Sequence, residues 1–137
     1  MYLLDTDTAS YLIKNRSPRL RQKLAQTDPA EVGISAVTSA ELLYGLTRLP
    51  PAHRLHLIVR EFLRLSQVVG WGGQAPEYYA QIRRQLTGSG QLIGELDMMI
   101  AAHSMALAAT LVTNNVQHFA RIQAPLRLEN WSQAQCP

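Results

Sequence analysis

Short apolar runs separated by helical patterns constrain this chain more than any other feature. Tyr2-Leu3-Leu4, Val32-Gly33-Ile34-Ser35, Gln67-Val68-Val69-Gly70-Trp71, Thr110-Leu111-Val112-Thr113 and Leu126-Arg127-Leu128 have the length and composition of buried strands. Between them, apolar residues recur at helical spacing, as in Leu55, Ile58, Val59, Phe62, Leu63 and Leu65. Such alternation implies an α/β fold in which a parallel sheet is covered by helices on both faces. With 137 residues the chain has one domain's worth of core.

Local signals place the helices. After the first strand, Asp7 is expected to cap a helix over residues 8 to about 14. Ser17-Pro18 opens a second, to about residue 26, whose Arg19, Arg21 and Lys23 read as a solvated basic face. Asp28-Pro29 marks a turn. Thr38-Ser39-Ala40-Glu41 fits a capping box, so Glu41 has a purely structural explanation there. Pro50-Pro51 breaks that helix and begins another, with His53 and His56 read as surface residues. Ala75-Pro76 opens a helix ending near Gly88-Ser89-Gly90, on which Tyr78 and Tyr79 read as packing aromatics. Asp97 is expected to begin an alanine-rich helix to about residue 109, close against the sheet.

Bulk properties exclude several classes. Hydrophobic residues make up 47% and charged residues 17%, which argues against disorder. The net charge of +3 suits a nucleic-acid partner without requiring one. A single cysteine, Cys136, precludes an internal disulfide or a cysteine-based metal site. The N-terminus lacks signal-peptide character, and the longest weakly polar run is interrupted by His103, Ser104 and Thr110. A soluble, cytoplasmic protein with no membrane association is expected.

In an open parallel sheet, sites form beyond the carboxyl ends of the strands, where strand order switches. Asp5 ends the first strand, Glu41 follows the second by about one helical turn, Asp97 precedes the fourth and Asn115 follows it. If strands one, two and four are neighbours, these side chains converge. Two carboxylates about 4 Å apart repel by roughly 4 kcal/mol at an effective dielectric of 20, so convergence calls for a cation. Oxygen-only ligands favour Mg²⁺ or Mn²⁺, which activate water and stabilise charge on a phosphodiester. Each residue also has a local explanation: a turn for Asp5 and Asn115, the capping box for Glu41, and the helix dipole for Asp97.

Read together, Leu3-Leu4-Asp5-Thr6, Ser35-Ala36-Val37-Thr38-Ser39-Ala40-Glu41-Leu42, Ile93-Gly94 with Asp97 and Ile100-Ala101-Ala102-His103, Leu111-Val112-Thr113-Asn114-Asn115, His118-Phe119 and Leu128-Glu129-Asn130-Trp131 resemble the PIN-domain toxins of the VapC type. The likeness covers residues 1–131 as one PIN domain and leaves 132–137 as a C-terminal tail. It implies a three-layer α/β/α sandwich with a central parallel sheet of four to five strands. It further implies an Mg²⁺- or Mn²⁺-dependent endoribonuclease with Asp5, Glu41 and Asp97 as metal ligands, and tRNA or rRNA among the candidate substrates. Homodimers silenced by a VapB-like antitoxin are the family pattern. The chain departs from that pattern at two positions. Asn115 stands where many PIN domains have a fourth acid, which argues against tight binding of a second metal. Asp7 replaces a usual asparagine and reads as a cap. Thr6, Ser35 and Thr113 are candidates for a hydroxyl shell around the acids.

Two other classes compete. A catalytically silent PIN-fold module would bind RNA or the antitoxin without cleaving. A receiver-like phosphoacceptor domain also gathers carboxylates beyond parallel strands, but no obvious lysine follows a later strand here.

Overall fold

The central strand is hydrophobic on both sides because it is buried on both sides, and the rest of the fold follows from that. The computed structural model describes residues 1–123 and 125–133. Its five strands are β1 (Tyr2–Leu4), β2 (Val32–Ser35), β3 (Val68–Val69), β4 (Thr110–Val112) and β5 (Arg127–Glu129). They form one parallel sheet in the order β3-β2-β1-β4-β5. Leu3 lies in register with Gly33 and Leu111, and Leu4 with Ile34 and Val112. The chain leaves β1 for β2 and β3, then returns to β4 on the other side of β1, so the switch in strand order falls between β1 and β4.

Successive residues of a strand face opposite ways, which divides the core in two. Leu4, Ile34 and Val112 pack with Leu20 and Trp131 beneath α1 (Thr6–Ile13), α2 (Pro18–Ala25) and α4 (Leu55–Leu65). Leu3 and Leu111 pack with Ile82, Leu86, Ile100 and Phe119 beneath α5 (Ala75–Ser89), α6 (Glu95–Ala106) and α7 (Val116–Phe119). Ala101 and Ala102 are fully buried and allow α6 to lie close to the sheet. Helix α3 (Ala36–Leu46) contacts α1, α4 and α6, closing the third layer near the carboxyl end of β2. The expected α/β/α sandwich around a parallel sheet is observed, with five strands.

Several local expectations are corrected. Helix α1 starts at Thr6, and its cap is Asp5 rather than Asp7: Thr8 N–H donates to Asp5 Oδ1 at 2.8 Å. Helix α3 likewise starts directly after its strand, with Ser35 as the cap and Val37 N–H donating to Ser35 Oγ at 3.1 Å. Thr38 is therefore a buried helical residue, and the capping box does not form. In both cases the earlier of two competent capping residues wins because the buried strand ends there. Helix α4 begins at Leu55, later than the Pro50-Pro51 break, with His53 Nδ1 accepting from Leu55 N–H at 3.1 Å. Helix α6 begins at Glu95, placing Asp97 in its first turn, and ends at Ala106. Ala108 there takes a left-handed conformation (φ +52°), and Ala109 N–H donates to the Ser104 carbonyl at 2.9 Å. The short helix α7 is an addition to the elements that periodicity predicts. Both His53 and His56 are half-buried rather than on the open surface. Cys136 lies outside the described residues, whereas Ser132 is tied to the sheet end, its hydroxyl donating to Asn114 Oδ1 at 2.7 Å.

One buried polar chain joins the layers. His103 on α6 is only 1% exposed, and its Nδ1 stands 2.8 Å from Ser35 Oγ. The ring also bonds to the Gly70 backbone. With the ring neutral and its proton toward the Gly70 backbone, Ser35 donates to Nδ1 and still accepts from Val37 N–H. Burial lowers the His103 pKa below the ordinary 6.5, and the Gly70 bond only partly opposes this. An unfolded histidine takes up a proton as pH falls through about 6.5, before the folded one does, so folding stability is complete above that pH and declines below it. Chemical denaturation from pH 7.5 to 5.5 should show this loss, and a His103→Gln variant should show less of it. Ser35→Ala removes the cap and a buried partner together and should cost about 2 kcal/mol.

Candidate active site

The carboxyl ends of β1 and β4 carry the polar residues that the apolar strands cannot bury in their interiors. Asp5 follows Leu4 directly and is 3% exposed. Its backbone N–H donates to the Val112 carbonyl at 3.0 Å, extending the β1–β4 pairing up to the carboxylate. Burial raises the Asp5 pKa, and the nearby charge of Asp7 acts in the same direction. Hydrogen bonds from the Thr113 hydroxyl and from the Thr8 backbone and side chain partly offset that rise.

Glu41 reaches the same end from α3. Thr6, the residue after Asp5, donates its hydroxyl to Glu41 Oε1 at 2.7 Å. The Thr38 hydroxyl lies 3.0 Å from Thr6 Oγ1, and because the Thr6 proton is engaged by Glu41, Thr38 is the donor. Thr38 thus reaches Glu41 through Thr6, across the gap between α1 and α3. With the capping box gone, so is the local explanation for Glu41.

Asp97 arrives from the third side. Parallel strands and their connecting helices run in opposite directions, so the N-terminal turn of α6 sits at the carboxyl end of the sheet. His118 on α7 stands with Nε2 3.1 Å from Asp97 Oδ2, donating to the carboxylate. The turn that positions α7 is built on residues 113–115. Asn115 N–H donates to Thr113 Oγ1 at 2.9 Å, and His118 N–H donates to the Asn115 carbonyl at 3.1 Å. The Asn115 side chain is exposed, and the residue's described bonds are made by its backbone. Asp7 is also exposed, at the rim, 3.5 Å from Asn114 Nδ2.

Asp5 is therefore linked to Glu41 through Thr6, and it stands beside Thr113, whose turn leads to His118 and Asp97. Among the described residues, no three Asp, Glu, His or Cys side chains stand close enough to hold an ion in their present rotamers. Each carboxylate is engaged by a neighbouring donor instead. The donor chemistry still fits a hard cation: three carboxylates, one of them desolvated, beside threonine hydroxyls. Sequence reasoning missed His118 as a partner of Asp97. The sequence marks His118 only as part of the family resemblance and as lying three residues beyond Asn115, and neither signal pairs it with Asp97.

This combination of fold and acid-bearing strand ends defines a class. The PIN domain family model matches residues 2–125, and the chain belongs to the PIN-domain family. Within it the chain is of the VapC type. It is 33% identical over 130 residues to Ribonuclease VapC2 of Haemophilus influenzae, covering 95% of this chain and 97% of that protein. It is 32% identical over 130 residues to the tRNA(fMet)-specific endonuclease VapC of Salmonella typhimurium, with the same coverage. Among solved structures, DNA-bound VapBC from Salmonella typhimurium superposes with a TM-score of 0.87 at 32% identity, covering 95% of this chain and 97% of that one. VapBC2 from Rickettsia felis, bound to a promoter DNA fragment, gives 0.86 at 32% identity, covering 95% and 98%.

The raised Asp5 pKa has a stability consequence. The folded state binds a proton more readily than the unfolded one above the ordinary value of 3.8, so stability falls as pH rises through that window and stays lower at neutral pH. Asp5→Asn keeps a competent cap and removes the buried charge. In divalent-free buffer at pH 7 it should melt above the wild type, and a lower melting temperature would show that the charge is better satisfied than this geometry implies.

Proposed function

We propose that this protein is an Mg²⁺- or Mn²⁺-dependent endoribonuclease toxin, with Asp5, Glu41 and Asp97 as metal ligands. The observation that supports this reading is the delivery of three carboxylates, from β1, α3 and α6, to one end of the sheet at its switch point. A bound divalent ion supplies Lewis acidity for water activation and for charge stabilisation on the phosphodiester. The protein's own contribution is positioning. Thr6 and Thr38 hold Glu41, Thr8 and Thr113 hold Asp5, and His118 holds Asp97. Asn115 adds an uncharged amide at the rim, so the site carries less negative charge than one with a fourth acid.

RNA is the substrate, with tRNA and rRNA as the candidates; the Salmonella relative's name specifies tRNA(fMet). A VapB-like antitoxin is the partner, consistent with the VapBC complexes that the fold matches. The working form is a cytoplasmic homodimer. No helix among the described residues is long and apolar enough to cross a membrane.

The deciding experiment is cleavage of pooled tRNA and rRNA with Mg²⁺, Mn²⁺ or EDTA. Wild type should cut only with metal, while Asp97→Asn should fold normally and not cut. Full activity in that variant would remove Asp97 from the site. Binding without cleavage under every metal condition would favour the catalytically silent module. Saturating Mg²⁺ at about 100 times its Kd should stabilise wild type by about 2.7 kcal/mol and leave Asp5→Asn unmoved. His118→Ala, which removes the donor to Asp97, should lower metal affinity or cleavage about 10–100-fold. A change in its melting temperature alone, with the metal titration unmoved, would make His118 merely structural.

A further inference from the structure

The acid-rich centre does not by itself attract a polyanion, so the cations that bring RNA to it must lie along a connected surface. One groove, of about 480 Å³, starts at Thr6 and Glu41 and runs between α1, α3 and α4 past Lys14 and Arg48. At Ile13, Lys14 and Leu55 it opens into a second concavity of about 550 Å³, walled by Arg16, His53 and Arg54. Among the described residues Glu41 is the only acid lining either of them, against Lys14, Arg16, Arg48, Arg54 and His53. None of these five belongs to an ion pair among the described residues.

Some of these charges have local explanations. Lys14 and Arg16 end α1 and Arg48 follows α3, where the helix dipole favours cations by about 0.3–1 kcal/mol. Arg54 has the opposite setting. It is the N-cap of α4, makes no side-chain cap bond, and that helix has no acid in its first turn. Local stability therefore disfavours a cation at Arg54. The chain also fixes Arg16 at the mouth of the concavity. Asn15 takes a left-handed conformation (φ +55°), and Arg16 N–H closes α1 on the Tyr11 carbonyl at 3.0 Å.

We infer that this groove is the track for the RNA strand, with Lys14, Arg16 and Arg54 receiving phosphates on the way from Glu41. The inference rests on the endoribonuclease reading above and adds a direction to it. The other basic face, Arg19 and Lys23 on α2, borders a separate hollow with Trp131 that no candidate ligand carboxylate lines. Its Lys23 lies over the Trp131 ring, 5.8 Å from the centroid.

The test uses the full chain carrying Asp97→Asn, a fluorescent single-stranded RNA of mixed sequence, and anisotropy titrations across a range of salt. Removing one phosphate-binding cation should lower the salt slope by about 0.7, so Arg16→Gln with Arg54→Gln should reduce it by about 1.4 and weaken binding about tenfold at about 0.15 M salt. Lys14→Ala should reproduce half of that slope change, while Arg19→Gln with Lys23→Gln should leave it near the parent value. An unchanged slope in the Arg16/Arg54 variant, with its melting temperature intact, overturns the track. So does an equal or larger effect in the α2 variant, or an effect confined to an acidic protein partner with RNA binding intact. If the parent neither binds this RNA nor, with Asp97 restored, cuts pooled RNA in metal, the endoribonuclease reading fails and the track fails with it.

Discussion

A carboxylate at the end of a buried central strand has to find donors to replace the water it loses, and Asp5 finds them in the helix it starts. By capping α1 at Thr8 N–H it converts an electrostatic cost into the turn that sends the chain away from the sheet. The same turn places Thr6 one residue further on, facing Glu41 across the gap to α3. Helix α3 is set by a parallel device, with Ser35 ending β2 and capping the next helix while its hydroxyl meets His103. Strand ends that double as helix caps thus bring α1 and α3 to the same height above the sheet.

The donors around the three acids share one character. Among the described residues, Asp5, Glu41 and Asp97 are held by hydroxyls, backbone N–H groups or an imidazole, and none by a lysine or arginine. A direct cation partner would neutralise a carboxylate and compete with a metal for it. Hydroxyl and backbone N–H donors orient the oxygens and leave most of their charge available. Lys14, Arg16, Arg48 and Arg54 line the groove leading away from Glu41, and Arg19 and Lys23 border the hollow on α2. This arrangement is compatible with the metal-dependent nuclease reading proposed above.

The raised pKa of Asp5 and the lowered pKa of His103 arise from the same cause, burial, with opposite sign because one group is charged when deprotonated and the other when protonated. Their consequences differ. His103 is satisfied as a neutral ring and contributes rigidity between α6, β2 and the end of β3. Asp5 is only partly compensated by its hydrogen-bond donors, which fits the metal-ligand role proposed for it.

The sequence by itself determined the strand–helix alternation, the five strands and the covering of the sheet on both faces, because these follow from local periodicity and from residue type. Strand β2 falls on the run expected for it, and the Ser17-Pro18 start of α2 needs no tertiary help. Tertiary structure decided which of two competent caps is used, as in Asp5 over Asp7 and Ser35 over Thr38. Such local hydrogen bonds differ little in energy, and burial of the strand end breaks the tie. It also decided which side chains meet. Thr6 and Glu41 are 35 residues apart and Asp97 and His118 are 21 apart, distances over which spacing carries no orientation. Only the β3-β2-β1-β4-β5 order makes these residues neighbours, because it returns the chain to the far side of β1 after two strands.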